Sequence, residues 1–458
     1  MTITEAARKM RQVSLELASS QIEKRNKALS LLAESLSENK EEIFSANRRD
    51  MEEAEKGNIS PAIKKRLKYD EGKLKDSIEG LKGLEGLSDP IGHISLHREL
   101  DKDLVLKRIG VPIGVIGVIF EARPDAMIQV ASLCIKSGNC AVLKGGKETK
   151  ETNRVLFSLI VKAATEAGLP EGCLFQAETH SDIDELLSCD KYVDLLIPRG
   201  SNNFVRHIME NTKIPVMGHS SGVCHIYVDK DADRELAIKV IIDAKTQYAA
   251  ACNAVETVLV SEEIADEFIP ELAEALSEAG VKLRGTKVVV SLLGDNRTGS
   301  KPDSAVVSGE GEARSEETSP IITEMSDEEF STEYGDFTVS LKTVKDVKEA
   351  VEHINTYGSH HTDCIITKND DTAAYFERMT DSAGVYRNCS TRFADGFRYG
   401  FGAEVGISTG KIHARGPVGL EGLLTYKYIL EGNGNIVADY ASGARHFTHR
   451  NINNDRDE

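Results

Sequence analysis

An apolar run from Leu104 to Phe120 constrains the fold of this chain more than any other feature. The run is rich in β-branched residues and is apolar at successive positions, as expected for a strand that is buried on both faces. Pro124 then stands at the favoured first position of a helix, and Gly138 stands where a helix would end. The run therefore predicts a buried strand followed by a crossover helix.

The alternation of strand and helix patterns continues in two series. In the first, strands are predicted at residues 140–144, 173–176, 193–197 and 223–229, and helices at 149–168, 181–188 and 201–210. In the second, strands are predicted at 255–260, 287–292, 338–341 and 363–367, and helices at 231–246, 265–279, 344–355 and 371–379. Strand–helix units at this spacing imply right-handed crossovers, so the pattern predicts an α/β fold with a doubly wound parallel sheet.

Three segments lie outside this alternation. Residues 4–58 have helical periodicity and predict two or three amphipathic helices that pack on the first domain. Residues 293–334 are rich in Gly, Ser, Glu and Asp and predict an irregular surface segment. Residues 445–458 are polar and predict a disordered tail.

Composition narrows the class of protein. A chain of 458 residues is long enough for about two or three domains. Its net charge of −18 argues against nucleic acid or an anionic membrane as a partner. We expect no membrane span and no secretory signal, because no window is apolar for long enough and residues 1–20 carry charges throughout.

The cysteine pattern points to a reducing compartment. Eight cysteines are scattered along the chain without a C-x-x-C pair or zinc-finger spacing, which indicates a cytoplasmic protein without structural zinc. His360 and His361 are adjacent, so they face different ways on any regular element. We interpret them as a surface pair and predict no metal site.

Cys252 is the candidate nucleophile. Three alanines precede it and an apolar strand follows it, which leaves room for a substrate and a cofactor to approach the sulfur. The alternative is that Cys252 is a buried small hydrophobe, the usual fate of a free cysteine.

Two turns are suited to bind the phosphates of a nucleotide. Lys144-Gly145-Gly146-Lys147 follows a predicted strand and precedes a predicted helix, so backbone N–H groups, a helix dipole and two ammonium groups converge there. Pro198-Arg199-Gly200-Ser201-Asn202 has the same setting. Neither has the spacing of the G-x-G-x-x-G fingerprint, so ordinary strand-to-helix turns remain the alternative.

Five arginines stand among glycines and small residues and not in helical surface stripes: Arg123, Arg387, Arg392, Arg398 and Arg415. Guanidinium groups in such places suit a substrate that carries carboxylate or phosphate. Surface ion pairs are the alternative for each of them.

Together these features resemble the aldehyde dehydrogenase superfamily and, within it, the branch that reduces the acyl phosphate of γ-glutamyl phosphate in proline biosynthesis. The resemblance covers residues from about 10 to about 430. The blocks that carry it are Ile119-Phe120-Glu121-Ala122-Arg123-Pro124, residues 143–148, residues 197–202, Cys252-Asn253-Ala254-Val255-Glu256-Thr257, and the run 390–424 with its Gly402-Ala403-Glu404-Val405-Gly406 and His413-Ala414-Arg415-Gly416-Pro417.

The resemblance implies a division into domains. A Rossmann-type NADPH-binding domain would comprise residues 1–225 with a return segment at about 373–424, and a catalytic domain carrying Cys252 would comprise 226–372. A hairpin near 95–112 and a strand near 425–440 would form a small oligomerisation element. We therefore expect a homo-oligomer, a dimer or a tetramer.

The resemblance also implies roles for individual residues. Cys252 would be the nucleophile, with Asn253 beside it in the catalytic set. Lys147 falls where NAD-dependent relatives often keep a glutamate for the ribose hydroxyls, so an ammonium there favours the 2′-phosphate of NADPH. The expected cofactor-binding residues are Lys144, Gly145, Gly146, Lys147, Arg199, Gly200, Ser201 and Glu333. The expected substrate-binding residues are Arg123, Arg392 and Arg398.

Two departures from the superfamily pattern bear on the reaction. Gly218 stands in the stretch where aldehyde-oxidising relatives carry the glutamate that activates water, and Ala122 replaces the oxyanion-hole asparagine. The first departure fits a reductase that must keep water off its thioester. The alternatives are a hydrolytic NAD(P)-dependent aldehyde dehydrogenase, or a non-catalytic subunit whose partner would be a glutamate kinase.

Overall fold

The computed structural model describes residues 1–59, 61–179, 181–218, 221–294 and 322–452. In these residues the α-helices are, in chain order, α1 (Ile3–Ala18), α2 (Ile22–Glu38), α3 (Lys40–Lys56), α4 (Pro61–Leu67), α5 (Glu71–Glu85), α6 (Pro124–Ser137), α7 (Lys150–Glu166), α8 (Ser181–Leu187), α9 (Asn202–Glu210), α10 (Arg234–Thr246), α11 (Glu262–Glu278), α12 (Lys287–Leu292), α13 (Val347–Tyr357), α14 (Asp370–Met379) and α15 (Val437–Ala441).

The strands of the same residues are β1 (Ile94–Asp101), β2 (Leu104–Pro112), β3 (Val115–Phe120), β4 (Cys140–Gly145), β5 (Leu174–Ala177), β6 (Leu195–Arg199), β7 (Cys224–Val228), β8 (Val255–Ser261), β9 (Lys282–Gly285), β10 (Ile322–Glu324), β11 (Thr338–Val344), β12 (Thr362–Ile366), β13 (Gly384–Arg387), β14 (Gly406–Ser408), β15 (Gly416–Val418), β16 (Leu424–Glu431) and β17 (Arg450–Asn451).

The chain divides into two compact units. The first comprises Met1–Ser220 with Gly396–Glu458, and the second comprises Ser221–Asp395. The predicted return at about residue 373 is therefore placed too early. Residues 373–395 stay with the second unit because β13 pairs in parallel with β12 and extends its sheet.

The first unit is built around a parallel sheet with the strand order β5-β4-β3-β6. All six residues of β3 and all six of β4 are buried, so both strands lie in the interior. An isolated parallel bridge between Leu196 and Val216 adds one further pairing on the outer side of β6. Because α6 begins at Pro124 and is capped after Ser137 by Gly138 in the left-handed conformation (φ 73°), the helix expected after β3 is confirmed.

The first unit also contains an antiparallel sheet with the order β16-β2-β1-β17. Its hairpin, β1 and β2, matches the one expected near 95–112, and the late strand pairs with β2 as Leu424–Glu431. This strand ends earlier than expected, since α15 occupies part of 425–440. The run from Leu104 to Phe120 forms two strands and not the single strand predicted, because Gly114 (φ 134°) separates β2 in this sheet from β3 in the parallel one.

The second unit is built around a parallel sheet with the order β10-β9-β11-β8-β7-β12-β13. Every residue of β7, β8 and β12 is buried, as expected for central strands covered on both faces. Asp233 caps the N-terminus of α10 by accepting the backbone N–H of Leu236, and α10 leads to the loop that carries Cys252.

The strand predicted at 287–292 is wrong, because these residues form α12. The run of three valines favours a strand locally. Only Val289 is fully buried, however, while Val288 is 56% exposed, as expected for a helix with one buried face. The strand lies just before, as β9. The irregular segment predicted at 293–334 falls largely outside the described residues, and its described part includes β10, which pairs with β9.

Two further expectations are corrected. The tail predicted from residue 445 is ordered as far as 452, since β17 pairs with β1 and Arg445 lies 2.8 Å from Asp101 Oδ2; residues 453–458 lie outside the described part. The pair His360-His361 is not a surface pair, because His361 is fully buried.

Candidate active site

The Cys252 loop, residues 247–254, connects α10 to β8 in the second unit. Two successive turns shape it, with the Ala251 N–H donating to the Tyr248 carbonyl and the Ala254 N–H donating to the Ala251 carbonyl. The small side chains allow these tight turns. Cys252 is a half-buried free thiol at the centre of the loop.

The Cys252 loop is anchored through its neighbour Asn253. Asn253 is buried, and its Nδ2 donates to the carbonyl oxygen of Ala394 at 2.8 Å. In return, Thr391 Oγ1 donates to the carbonyl oxygen of Asn253 at 2.7 Å. The Nδ2 of Asn253 thus holds the loop, while its Oδ1 is buried without a hydrogen-bond partner among the described residues. The catalytic role expected of Asn253 stays a prediction.

Gly222 is a site residue that the sequence did not reveal. A Cβ atom at this position would overlap the carbonyl oxygen of Cys252 and lie 2.5 Å from its Cα. The backbone of residue 222 therefore runs directly against the cysteine, and only glycine permits that approach. Cys224 continues the contact by donating from Sγ to the carbonyl oxygen of Cys252 at 3.4 Å.

The other cysteines are poor nucleophiles. Burial raises the pKa of the Cys134 thiol to about 12 and that of Cys173 to about 11, and it raises the pKa of the thiols of Cys140, Cys189, Cys224, Cys364 and Cys389 as well. A nucleophilic cysteine reacts as the thiolate, which burial of this kind disfavours. Cys252 is left as the candidate.

Arg392 is the predicted substrate arginine that the structure brings to the Cys252 loop. Its Nε donates to Gln247 Oε1 at 3.0 Å, and its guanidinium lies 5.9 Å from the centre of the Tyr248 ring. Arg387, by contrast, forms an ion pair with Asp370 at 2.7 Å. Arg123 and Arg398 belong to the first unit, where Arg123 is the N-cap residue of α6 and Arg398 is exposed.

The turn after β4, predicted to bind phosphate, leads into α7 and lies against a carboxylate. Gly146 precedes a short 3₁₀ turn and then α7, and a Cβ atom on Gly146 would overlap the carboxylate of Glu148. Lys144 is buried, its Nζ donates to the Gly145 carbonyl at 2.6 Å, and burial lowers its pKa. Lys147 is exposed, as is Lys150 at the start of α7, so both ammonium groups are accessible at this turn.

The turn after β6 leads into α9, with Ser201 as the N-cap residue. The backbone N–H of Ser201 donates to Glu121 Oε2 at 3.4 Å, and a Cβ atom on Gly200 would lie 2.7 Å from the same oxygen. A carboxylate therefore already occupies this helix N-terminus. The sequence did not single out Glu121 or Glu148 as site residues, although both lie in the sequence blocks that carry the family resemblance.

The two departures from the superfamily pattern are visible in the first unit. Ala122 adopts a positive φ of 50°, and its N–H donates to Glu148 Oε1 at 2.6 Å. At Gly218 a Cβ atom would have only ordinary contacts, with Pro198 Cγ and O at 3.8 Å. The backbone at residue 218 therefore leaves room for a Cβ atom.

A cleft of about 190 Å³ opens between α5 and α6 in the first unit. Lys73 and Asp125 form an ion pair of 3.0 Å across it. Its lining mixes charges, hydroxyls, an amide and apolar groups, from Lys73, Asp76, Ser77, Gly80, Leu81, Asp125, Ile128, Gln129, Ser132, Phe397 and Ala403.

The predicted site residues thus fall into two groups. Cys252, Asn253, Glu333 and Arg392 belong to the second unit, while the two glycine turns, Arg123 and Arg398 belong to the first. Among the described residues, no group of three or more His, Cys, Asp or Glu side chains is arranged to hold a metal ion. None of the described helices combines the length and the apolar character needed to span a bilayer.

Known proteins with similar sequences place the chain in a family. Residues 1–289 match the family described as "Aldehyde dehydrogenase family", and residues 221–394, nearly the whole second unit, match "Protein of unknown function (DUF1487)". The chain belongs to the aldehyde dehydrogenase family.

Its relatives specify the branch of that family. The chain is 50% identical over 458 residues to the γ-glutamyl phosphate reductase of Pelotomaculum thermopropionicum, with 99% of both chains covered. It is 49% identical over 450 residues to that of Methanosarcina mazei, with 97% of this chain and 96% of the relative covered. The crystal structure of γ-glutamyl phosphate reductase from Thermotoga maritima matches with a TM-score of 0.86 at 36% identity, covering 94% of this chain and 99% of that one. The branch is that of the γ-glutamyl phosphate reductases.

Proposed function

We propose that the chain reduces γ-glutamyl phosphate to glutamate-5-semialdehyde, the second step of proline biosynthesis from glutamate, with NADPH as the reductant. The observation that carries the proposal is the setting of Cys252. It is a half-buried thiol on a loop anchored by Asn253, Thr391 and Gly222. Burial raises the pKa of each of the other seven thiols and so disfavours their thiolates.

In the proposed reaction, the Cys252 thiolate attacks the γ-acyl carbon of the substrate, and the bond to the phosphate oxygen breaks. Inorganic phosphate leaves, and the glutamyl group remains on the sulfur as a thioester. When bound, a nicotinamide nucleotide would provide the hydride that reduces the thioester carbon. Collapse of the resulting tetrahedral oxyanion expels the thiolate and releases the aldehyde. Backbone N–H groups of the Cys252 loop are the donors that we assign to the oxyanion.

The first unit has a turn that fits a nicotinamide nucleotide. Gly145 and Gly146 carry no side chains of their own, and a short 3₁₀ turn leads from them to the N-terminus of α7. The exposed ammonium of Lys147 would meet the 2′-phosphate of NADPH, while the buried Lys144 shapes the turn through its bond to the Gly145 carbonyl. Glu333 of the second unit would hold the nicotinamide ribose.

Guanidinium groups of arginines suit the two anionic ends of the substrate. γ-Glutamyl phosphate has a carboxylate and a phosphate at its ends, and a guanidinium can bind either group with two parallel hydrogen bonds. We assign this role to Arg392, next to the Cys252 loop, together with Arg123 and Arg398.

The antiparallel sheet supports the expectation of a homo-oligomer. Its strand β16 lies at the edge and carries exposed side chains at Tyr426, Tyr428 and Leu430, each more than half exposed. Exposed edge strands with apolar side chains are sites where another chain can add. We propose that a second copy of the chain covers this strand.

Phosphate dependence tests the proposed function. Run in reverse with NADP⁺ and glutamate-5-semialdehyde, the parent should reduce NADP⁺ only when inorganic phosphate accepts the acyl group. Cys252→Ser should lose at least about a thousandfold in rate with its fold and nucleotide binding retained. Cys389→Ser, the other half-buried cysteine, is the matched control and should stay within about twofold of the parent. Phosphate-independent release of glutamate, or an active Cys252→Ser variant, would contradict the proposal.

A further inference from the structure

A fully buried ion pair joins the two ends of the Cys252 loop. Lys245 lies in the last turn of α10, and Glu256 is the second residue of β8. Lys245 Nζ lies 2.7 Å from Glu256 Oε2, and neither side chain has any exposed surface. Cys252 lies on the loop between these two residues, so the pair fixes where the loop leaves the helix and where it enters the strand.

The second oxygen of Glu256 contacts a different loop. Glu256 Oε1 accepts the backbone N–H of Gly335 at 3.3 Å, and Gly335 lies two residues after Glu333. Burial raises the pKa of Glu256 to about 7 against the opposing effect of Lys245, and the negative charge of Glu333 adds to this rise. One carboxylate therefore links the Cys252 loop to the segment that carries Glu333.

Stability does not account for this pair. Removing two charges from water is costly, and a buried ion pair can often be replaced by apolar residues of similar volume without loss of stability. The second unit has exposed pairs such as Lys230 and Glu263, 3.0 Å apart, which avoid that cost. An apolar pair could not accept the backbone N–H of Gly335, and it could not fix the orientation of the side chain at residue 245 through a hydrogen bond.

We propose that Lys245 and Glu256 are positioning residues that hold the Cys252 loop at a fixed distance from the Glu333 segment. This proposal rests on the proposed function, which assigns the nucleophile to Cys252 and the nicotinamide ribose to Glu333. Lys245 holds the C-terminal end of α10, which precedes Cys252. Glu256 connects this end of the helix to the segment that carries Glu333, through its contacts with Lys245 and the Gly335 N–H. Both side chains are fully buried, so neither is accessible to a ligand.

Two double variants separate the contacts of the pair. Lys245→Met with Glu256→Met removes both contacts and leaves no buried charge. Lys245→Met with Glu256→Gln keeps an amide oxygen that can accept the Gly335 N–H. We expect kcat to fall about tenfold or more in both variants, while KM for NADPH rises about fivefold in the Met/Met variant and stays within about twofold of the parent in the Met/Gln variant.

The control is Lys230→Met with Glu263→Met, which removes an exposed pair of the same unit and should leave kcat and both KM values unchanged. Thermal unfolding and circular dichroism would establish that each variant is folded. The proposal is overturned if kcat and KM for NADPH of the Met/Met variant both stay within about twofold of the parent. Loss of the folded state in both double variants would also overturn it, since a positioning pair should be replaceable.

The Cys252→Ser variant separates a failure of the proposed function from a failure of the positioning role. If Cys252→Ser keeps its activity, the proposed function fails whatever the double variants do. If Cys252→Ser is inactive and the double variants are unaffected, the proposed function stands and the pair is merely structural.

Discussion

Asn253 Nδ2 donates a 2.8 Å hydrogen bond to the carbonyl oxygen of Ala394, a residue 141 positions further along the chain. The loop that carries Cys252 is thereby tied to the segment that carries Thr391 and Arg392. Because the amide of Asn253 is buried, a water molecule could not readily take its place as the donor to the Ala394 carbonyl. The bond fixes the residue next to Cys252.

Asn253→Ala should therefore lower both stability and rate. Loss of the amide leaves the Ala394 carbonyl without this partner, which should cost about 1–3 kcal/mol in the free energy of unfolding. We expect kcat to fall about tenfold, with KM for NADPH unchanged within about twofold. Denaturant unfolding and steady-state kinetics would measure the two effects. An unchanged kcat in a destabilised variant would show that the bond serves stability alone.

Lys147→Glu should change the choice of cofactor. The 2′-phosphate of NADPH would then meet a carboxylate in place of an ammonium, so KM for NADPH should rise about tenfold or more while KM for NADH changes by less than about threefold. Lys162→Glu makes the same change of charge near the other end of α7, on an exposed side chain, and should alter neither value. Equal changes for the two cofactors would show that the 2′-phosphate is not bound at residue 147.

Arg392→Lys should weaken substrate binding. The guanidinium fork is held by Gln247 and faces the Tyr248 ring, and an ammonium cannot reproduce its paired donors. We expect KM for γ-glutamyl phosphate to rise about tenfold, equivalent to about 1.4 kcal/mol, with KM for NADPH within about twofold. A variant that loses thermal stability but keeps its substrate KM would identify Arg392 as a structural residue.

Much of the fold could be predicted from the sequence because its strands are buried on both faces. Runs such as Val115–Phe120 and Val255–Ser261 are buried throughout, and the apolar character of such runs is typical of a central parallel strand. Prediction failed where the local preference of the residues and their burial disagree. The valines of α12 favour a strand, yet only Val289 is buried. The short strand β17 has no apolar pattern, and only its pairing with β1 defines it.

The site could be predicted only in part. Cys252 and the turn at Gly145 and Gly146 stand out locally, because small residues beside a thiol, or between a strand and a helix, are typical of sites where a ligand approaches the backbone. Gly222 and Glu256 do not stand out, since their importance comes from contacts with segments far along the chain. Glu121 was missed for the same reason, although its carboxylate lies at the N-terminus of α9.

Acid should destabilise the second unit through His353. Its ring lies between Phe330 and Tyr357, each with ring centres 4.7 Å away, and both ring nitrogens are buried without a hydrogen-bond partner in the described residues. Burial lowers its pKa from 6.5 to about 2, with the charges of His225 and Lys342 acting in the same direction. The folded state thus keeps His353 neutral where the unfolded chain binds a proton.

The sign of the pH effect follows from this difference. Because the pKa is lower in the folded state, the contribution to stability is complete above pH 6.5 and is lost as the pH falls below it, by up to about 1.4 kcal/mol per pH unit. His353→Leu removes the titrating group and should reduce the loss of thermal stability between pH 7 and pH 5. The comparison of melting temperatures at the two pH values is the measurement, and identical acid sensitivity in parent and variant would assign the effect to other groups.

Gly218→Glu should introduce a hydrolytic reaction. The family resemblance implies that residue 218 corresponds to the glutamate that activates water in aldehyde-oxidising enzymes. A side chain can start there because a Cβ atom would have only ordinary contacts with Pro198. A carboxylate at this position would act as a general base toward water and shorten the life of the thioester. We expect the variant to reduce NADP⁺ with glutamate-5-semialdehyde in the absence of phosphate and to release free glutamate, at a rate at least about tenfold above that of the parent. Gly218→Gln, which has the same size and no basic carboxylate, is the control and should remain phosphate-dependent. If the glutamate and glutamine variants behave alike, residue 218 does not determine the fate of the thioester.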